Sequence, residues 1–177
     1  MKTKLITILI LGLAGCMGVF AEKSLKEKAY EYYSSISPSF KQYEEKLEPE
    51  KFSNLGMKEM TDEGMQYLVI FPNLRTLNLG DSKITDEGLK QISGLSKLDD
   101  LSLERTKITN KGIEYISKSK TITSLSLNEI AGIDDGCIPH LLKMKQLAML
   151  ELAGTDISEQ GLKKLRKGLP KAGVTTQ

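Results

Sequence analysis

The sequence has no tryptophan, a single histidine and only two cysteines in 177 residues. One histidine leaves little for imidazole acid–base chemistry. Two cysteines, Cys16 and Cys137, exclude a disulfide framework. Six of the nine aromatics that follow the first 21 residues lie before residue 53, so the rest of the chain is nearly bare of stacking platforms. Neither sign of charge dominates: there are 25 basic and 23 acidic residues. A nucleic-acid binder needs a basic stripe. Here the charges are interspersed, apart from a small basic end (Lys163, Lys164, Arg166, Lys167, Lys171) that reads as a solvated last helix. Nucleophile elbows, zinc-protease helices, phosphate-binding glycine loops and paired cysteines are all missing. No catalytic, cofactor or metal site is expected on these grounds.

The start is a short export leader. Met1-Lys2-Thr3-Lys4 is basic and residues 5–14 are apolar, too short for the roughly 20 residues of a spanning helix. Two exits compete. Leu13-Ala14-Gly15-Cys16 resembles a bacterial lipobox with Cys16 as the lipidated residue, whereas Val19-Phe20-Ala21 resembles an ordinary cleavage site. Either places the chain in the periplasm, on the envelope or outside the cell, and the only expected membrane contact is a lipid on Cys16. Removal of residues 1–21 takes away Lys2 and Lys4 and no acid, which leaves 23 charges of each sign.

What the chain does have is a repeat. Leu74-x-x-Leu77-x-Leu79 returns as Leu98-x-x-Leu101-x-Leu103, as Ile122-x-x-Leu125-x-Leu127 and as Leu147-x-x-Leu150-x-Leu152. The steps are 24, 24 and 25 residues. A period in this range marks a stacked array. The last two leucines of each unit are two apart and so share one face of a strand; strands are expected at residues 76–80, 100–104, 124–128 and 149–153, with a shorter one near 53–55. A helix should follow each. Thr61, Thr85, Thr109, Asp134 and Ser158 suit the N-cap. Each stands between an apolar residue (Met60, Ile84, Ile108, Ile133, Ile157) and a second one five positions past that (Met65, Leu89, Ile113, Ile138, Leu162), the spacing of a hydrophobic staple. Acids in the first turn (Asp62, Glu63, Asp86, Glu87, Asp135, Glu159) suit the positive end of the helix dipole. Their spacing is not that of a calcium loop.

These units resemble leucine-rich repeats, and are similar to the cysteine-containing subtype of F-box proteins and of many bacterial secreted proteins. The resemblance covers about residues 55–170. It implies an α/β solenoid of about 4.5 repeats, with a curved parallel sheet and helices on the convex side. Ser82, Thr106 and Thr155 stand where the family usually has the Asn or Cys that bonds turn backbone. No F-box precedes the array, so an adaptor role does not carry over. The domain plan is then a leader at 1–21, a linker and helical cap at 22–52, repeats at 53–170 and a stub at 171–177, where Val174-Thr175 can add an edge pairing. Within 22–52, Tyr30, Tyr32 and Tyr33 either belong to the cap or form a tyrosine-rich binding arm.

The open side of the strands is the candidate binding surface. Asn78, Asp100, Ser102, Glu104, Ser126, Asn128, Met149 and Glu151 should face solvent there. The set is small, polar and mildly acidic, without the Trp, Tyr or Arg favoured at hot spots. It fits either a weak protein or peptide site or merely a soluble face. The expected role is a monomeric module that binds an unidentified protein at the cell envelope; a glycan-binding wall protein is the alternative, and stacked aromatics would favour it. The third repeat departs from pattern: one residue is inserted in Asn128-Glu129-Ile130-Ala131-Gly132, Cys137 takes the recurrent glycine's place, and Pro139 should remove a bond or shift the helix start. Cys137 with His140 would be the core of an unrecognised enzyme, but nothing supplies a third partner.

Overall fold

The structure, a computed structural model, describes residues 23–43 and 47–176; Cys16 and both candidate processing sites lie outside them. The chain runs α1 (Leu25–Ile36), β1 (Asn54–Gly56), α2 (Asp62–Met65), β2 (Thr76–Asn78), β3 (Asp100–Ser102), α3 (Asn110–Ile116), β4 (Ser124–Ser126), α4 (Ile138–Leu141), β5 (Met149–Glu151), α5 (Glu159–Gly168) and β6 (Gly173–Thr175). Short 3-10 segments fill Pro38–Tyr43, Pro49–Lys51, Gln66–Ile70, Gly88–Gly94 and Asp135–Cys137.

All six strands are parallel and lie side by side in chain order. Register follows the repeat: Leu55, Leu77, Leu101, Leu125, Leu150 and Val174 are aligned across the sheet. Leu77, Leu101, Leu125 and Leu150 are wholly buried, and so are Leu79, Leu98, Leu103 and Leu127 from the same motif. The result is the α/β leucine-rich-repeat solenoid. Burial of each such side chain contributes about 1.5–3 kcal/mol.

The strands start where the alternation predicts but close after three residues instead of five. Pairing does not stop there. Leu79 N–H donates to Ser102 O (2.9 Å) and Asp81 N–H to Glu104 O (2.9 Å), and the same two bonds recur from Leu103 and Arg105 and from Leu127 and Glu129. The strand ends because Asp81, Arg105, Glu129 and Gly154 adopt positive φ (62°, 53°, 56° and 68°) and bend the chain out of the sheet. Only Gly154 does this without steric cost.

On the outer side, the residue after each cap position reaches across to the cap of the next repeat. The Asp62 carboxylate accepts from Thr85 N–H (2.8 Å) and Oγ1 (2.6 Å). Asp86 does the same for Thr109 (2.8 and 2.7 Å), and Asp135 for Ser158 (2.9 and 2.6 Å). The Ser158 hydroxyl, then its backbone N–H, hold the Asp135 carboxyl below its ordinary value. In the one repeat whose cap is itself acidic, Asp134, the preceding partner is Asn110. Its amide donates to Asp134 Oδ1 (2.6 Å) and accepts from Asp134 N–H (3.2 Å), which avoids two facing carboxylates. The recurrent glycine leaves room for this clamp: a Cβ at Gly88 would lie 2.6 Å from Asp62 Oδ1, and one at Gly112 would lie 2.5 Å from Asp86 Oδ1.

At the N-terminal end Tyr32 takes the clamp's place. Its hydroxyl accepts from Thr61 N–H (3.0 Å) and shares a hydrogen bond with Thr61 Oγ1 (2.8 Å). Thr61 therefore makes no side-chain bond to its own helix, whereas Thr109, Asp134 and Ser158 cap theirs. Helix α1 begins with a Ser24–Glu27 capping box. Tyr33 is wholly buried, donates to Gly64 O (3.1 Å) and packs among Tyr32, Phe40, Tyr67 and Phe71. These tyrosines cover the end of the array and do not form a free arm.

Three local expectations change. The outer segment of the Leu74 repeat, Gly88–Gly94, is entirely 3-10, with a helix-weakening glycine at either end. Of the three stand-in hydroxyls, Thr106 donates to Leu103 O (2.7 Å) and Thr155 to Leu152 O (2.8 Å), but Ser82 Oγ is buried without a partner; there the backbone alone closes the turn, Ser82 N–H to Leu79 O at 3.1 Å. In the third repeat Asp135–Cys137 is 3-10 and α4 starts only at Ile138, the shift Pro139 demands. The inserted residue is absorbed at Gly132, where a Cβ would stand 2.6 Å from Ile108 O.

Leu101→Ala or Leu125→Ala is expected to cost about 2–5 kcal/mol in urea denaturation. Ser124→Ala, on the half-exposed side of β4, is expected to leave the midpoint in place. Equal midpoints for all three would refute the inward assignment.

Candidate functional site

Alternation along three-residue strands fixes which side chains are free. With the leucines turned inward, the residues on either side of each face solvent, and the eight residues singled out from the sequence lie there, exposed or half-buried. Four of them form one hydrogen-bonded chain across β3, β4 and β5. Ser126 Oγ donates to Glu104 Oε1 (2.8 Å). Asn128 Nδ2 donates to Ser126 Oγ (3.2 Å) and to Glu151 Oε2 (3.2 Å), and its Oδ1 accepts from Ala153 N–H (2.9 Å). Both carboxylates are thereby held on the face at its C-terminal rim.

The other four stand apart from that network. Asn78 Oδ1 turns back to Gly80 N–H (2.9 Å). Asp100 and Ser102 make no side-chain hydrogen bond among the described residues. Met149 is 50% exposed and offers an apolar spot beside Ser124, its partner in register. The face thus combines two fixed carboxylates, a third acid at Asp100, short hydroxyls and one thioether. Such a surface can accept hydrogen bonds from, and pair with, cationic groups on an extended segment.

One element next to the face was not read from the sequence. Arg105 sits at the positive-φ turn between Asp81 and Glu129. Its guanidinium donates to Asp81 Oδ1 (2.5 Å) and Oδ2 (3.0 Å) and to Glu129 Oε1 (3.2 Å), and lies 3.6 Å from Glu104 Oε2. The Arg105 hydrogen bond lowers the Asp81 carboxyl below its ordinary value, with Lys58 adding a weaker attraction. The signal was there: Asp81, Arg105 and Glu129 recur at 24-residue steps with alternating charge.

Cys137 and His140 are not brought together as a reactive pair. Cys137 is wholly buried at the core, and burial, with Asp134 and Asp135 nearby, pushes its thiol up to about 12. No hydrogen bond joins it to His140, whose Nδ1 is buried without a partner. A thiol so protonated is a poor nucleophile. No group of three or more His, Cys, Asp or Glu among the described residues is arranged to hold a metal.

Repeat sequence, sheet register and helix placement define a leucine-rich-repeat architecture. A family profile described as Leucine Rich repeat matches residues 72–93, and the fold is that of a leucine-rich-repeat solenoid. Among solved structures, a leucine-rich-repeat protein of Leptospira interrogans is 27% identical, with 62% of this chain and 27% of that chain covered and a TM-score of 0.49. An internalin of Listeria monocytogenes is 22% identical, with 63% and 31% covered and a TM-score of 0.42. The actin-binding site 2 of leiomodin-1 is 14% identical, with 84% and 90% covered and a TM-score of 0.55, a likeness of fold alone. The chain spans less than a third of the length of the first two. No curated protein sequence matches it.

In the folded protein at mildly alkaline pH, Cys137 is expected to resist iodoacetamide and to label rapidly only in denaturant, as read by peptide mass spectrometry. Rapid native labelling would show a reactive thiol and reopen the enzymatic reading.

Proposed function

We propose that this chain is an exported protein-interaction module that works at the cell envelope and binds its partner on the open strand face. The observation that carries the reading is the Glu104–Ser126–Asn128–Glu151 chain, a half-exposed polar row held in place across three strands. Side chains already fixed lose little freedom on binding, which favours recognition. The acids select a partner segment rich in Lys or Arg. Asn78, Asp100, Ser102 and Met149 extend the contact toward either end. No aromatic stands on this face, so sugar stacking has no platform there and the glycan alternative has no comparable support.

Export rests on the leader, whose basic start, apolar core and Cys16 or Ala21 exits fit secretion with or without lipidation. No helix among the described residues is long and apolar enough to cross a membrane. The repeat form and the leader together support the cysteine-containing, bacterial secreted subtype, and the chain is taken to act as a monomer.

Chemical cross-linking from native envelope is expected to capture a partner with the natural chain and to lose it, about tenfold or more, with Glu104→Lys or Glu151→Lys. Capture unchanged by both reversals would remove the strand face from the account.

A further inference from the structure

Some cations of the array are paired with acids, and others, Lys107 and Lys111 among them, form no ion pair among the described residues. Lys58, Arg75, Lys83, Lys90 and Arg105 each pair with an acid. Beyond residue 160 there are five basic residues and no acid. Among the described residues none of these five forms an ion pair; Arg166 touches only Val174 O (3.4 Å). At about 100° per residue, Lys163, Arg166 and Lys167 fall on the arc of α5 opposite its buried residues Gly161 and Leu165, and exposed Lys164 flanks that arc on the side of Asp135. The repeat step then sets exposed Lys143, 24 residues before Lys167, on the neighbouring outer segment.

We infer that this outer face of α5, with Lys143, docks on an anionic lipid bilayer. Three observations favour a bilayer over other polyanions. There is no aromatic residue from 116 to 177, so neither bases nor sugars find a stacking platform. Four of these five cations are lysines, mobile point charges that suit a diffuse anionic surface, where the planar arginine fork suits a fixed phosphate or carboxylate. Among the described residues the exposed large apolar side chains are Leu25, Val69 and Met149, none on α5, so the contact this face makes is peripheral and electrostatic. Docked this way, the molecule leaves its strand face, on the other side of the solenoid, free for a protein partner. The inference does not depend on that partner, nor on a lipid at Cys16.

The test is sedimentation of the full chain with vesicles of phosphatidylcholine alone and of equal parts phosphatidylcholine and phosphatidylglycerol. The ratio of the two partition coefficients is the readout, so that any apolar contribution of the leader cancels. The natural chain is expected to favour the anionic vesicles, and high salt to abolish the preference. The triple variant Lys163→Gln, Lys164→Gln, Lys167→Gln is expected to lower the ratio about a hundredfold, at about fivefold per lysine. A control of equal charge change, Lys26→Gln, Lys41→Gln, Lys107→Gln, is expected to leave it unchanged. The proposal is overturned if the α5 triple leaves the ratio unaltered, or if the control lowers it equally. It is also overturned if the natural chain ignores both vesicles, including the case where it binds single-stranded DNA or an acidic polypeptide instead.

Discussion

The contact between Asp86 and Thr109 recurs, with small changes of chemistry, along the whole outer side of this molecule. Each repeat supplies the hydrogen-bonding group that satisfies the start of the next one's outer segment. A repeat of this kind has no complete core of its own, so its stability is shared with its neighbours. The leucine spine carries most of the energy, but apolar burial is non-directional and sets no register by itself. The polar clamp supplies direction. With the parallel ladder on the inner side, it pins both walls of each coil to the coil before it, and the strand face and the α5 face are the surfaces that result.

The clamp explains why several sequence features occur together. A short acid follows the cap, a small hydroxyl stands at the cap, and glycine comes two places after the acid because the preceding carboxylate occupies the space a Cβ would need. Where the cap becomes Asp134, the partner becomes Asn110. The array needs a starting partner, and the Tyr32 hydroxyl provides it.

The fold was legible because leucine spacing, staple and cap signals each recur often enough to reinforce one another. Strand face and buried face followed from alternation alone. What escaped the sequence reading depends on contacts between repeats. The first-turn acids suit their own helix dipole, yet the side chains of Asp62, Asp86 and Asp135 serve the neighbouring repeat. Arg105 gains its meaning only across repeats, because its partners Asp81 and Glu129 are each 24 residues away and meet it only once register is fixed. The Cys137–His140 pair, close in sequence, has the thiol folded into the core, where burial disables it. Ser82 shows that a suitable residue type at the expected place need not make the expected bond.

A double-mutant cycle on adjoining and non-adjoining repeats tests the clamp most directly. Asp86→Ala and Thr109→Ala, singly and together, are compared in urea denaturation with Asp62→Ala and Thr109→Ala. The account predicts a coupling of about 0.5–3 kcal/mol for the Asp86–Thr109 pair and additivity within about 0.5 kcal/mol for Asp62 with Thr109. Additivity in both cycles, or equal coupling in both, would contradict it.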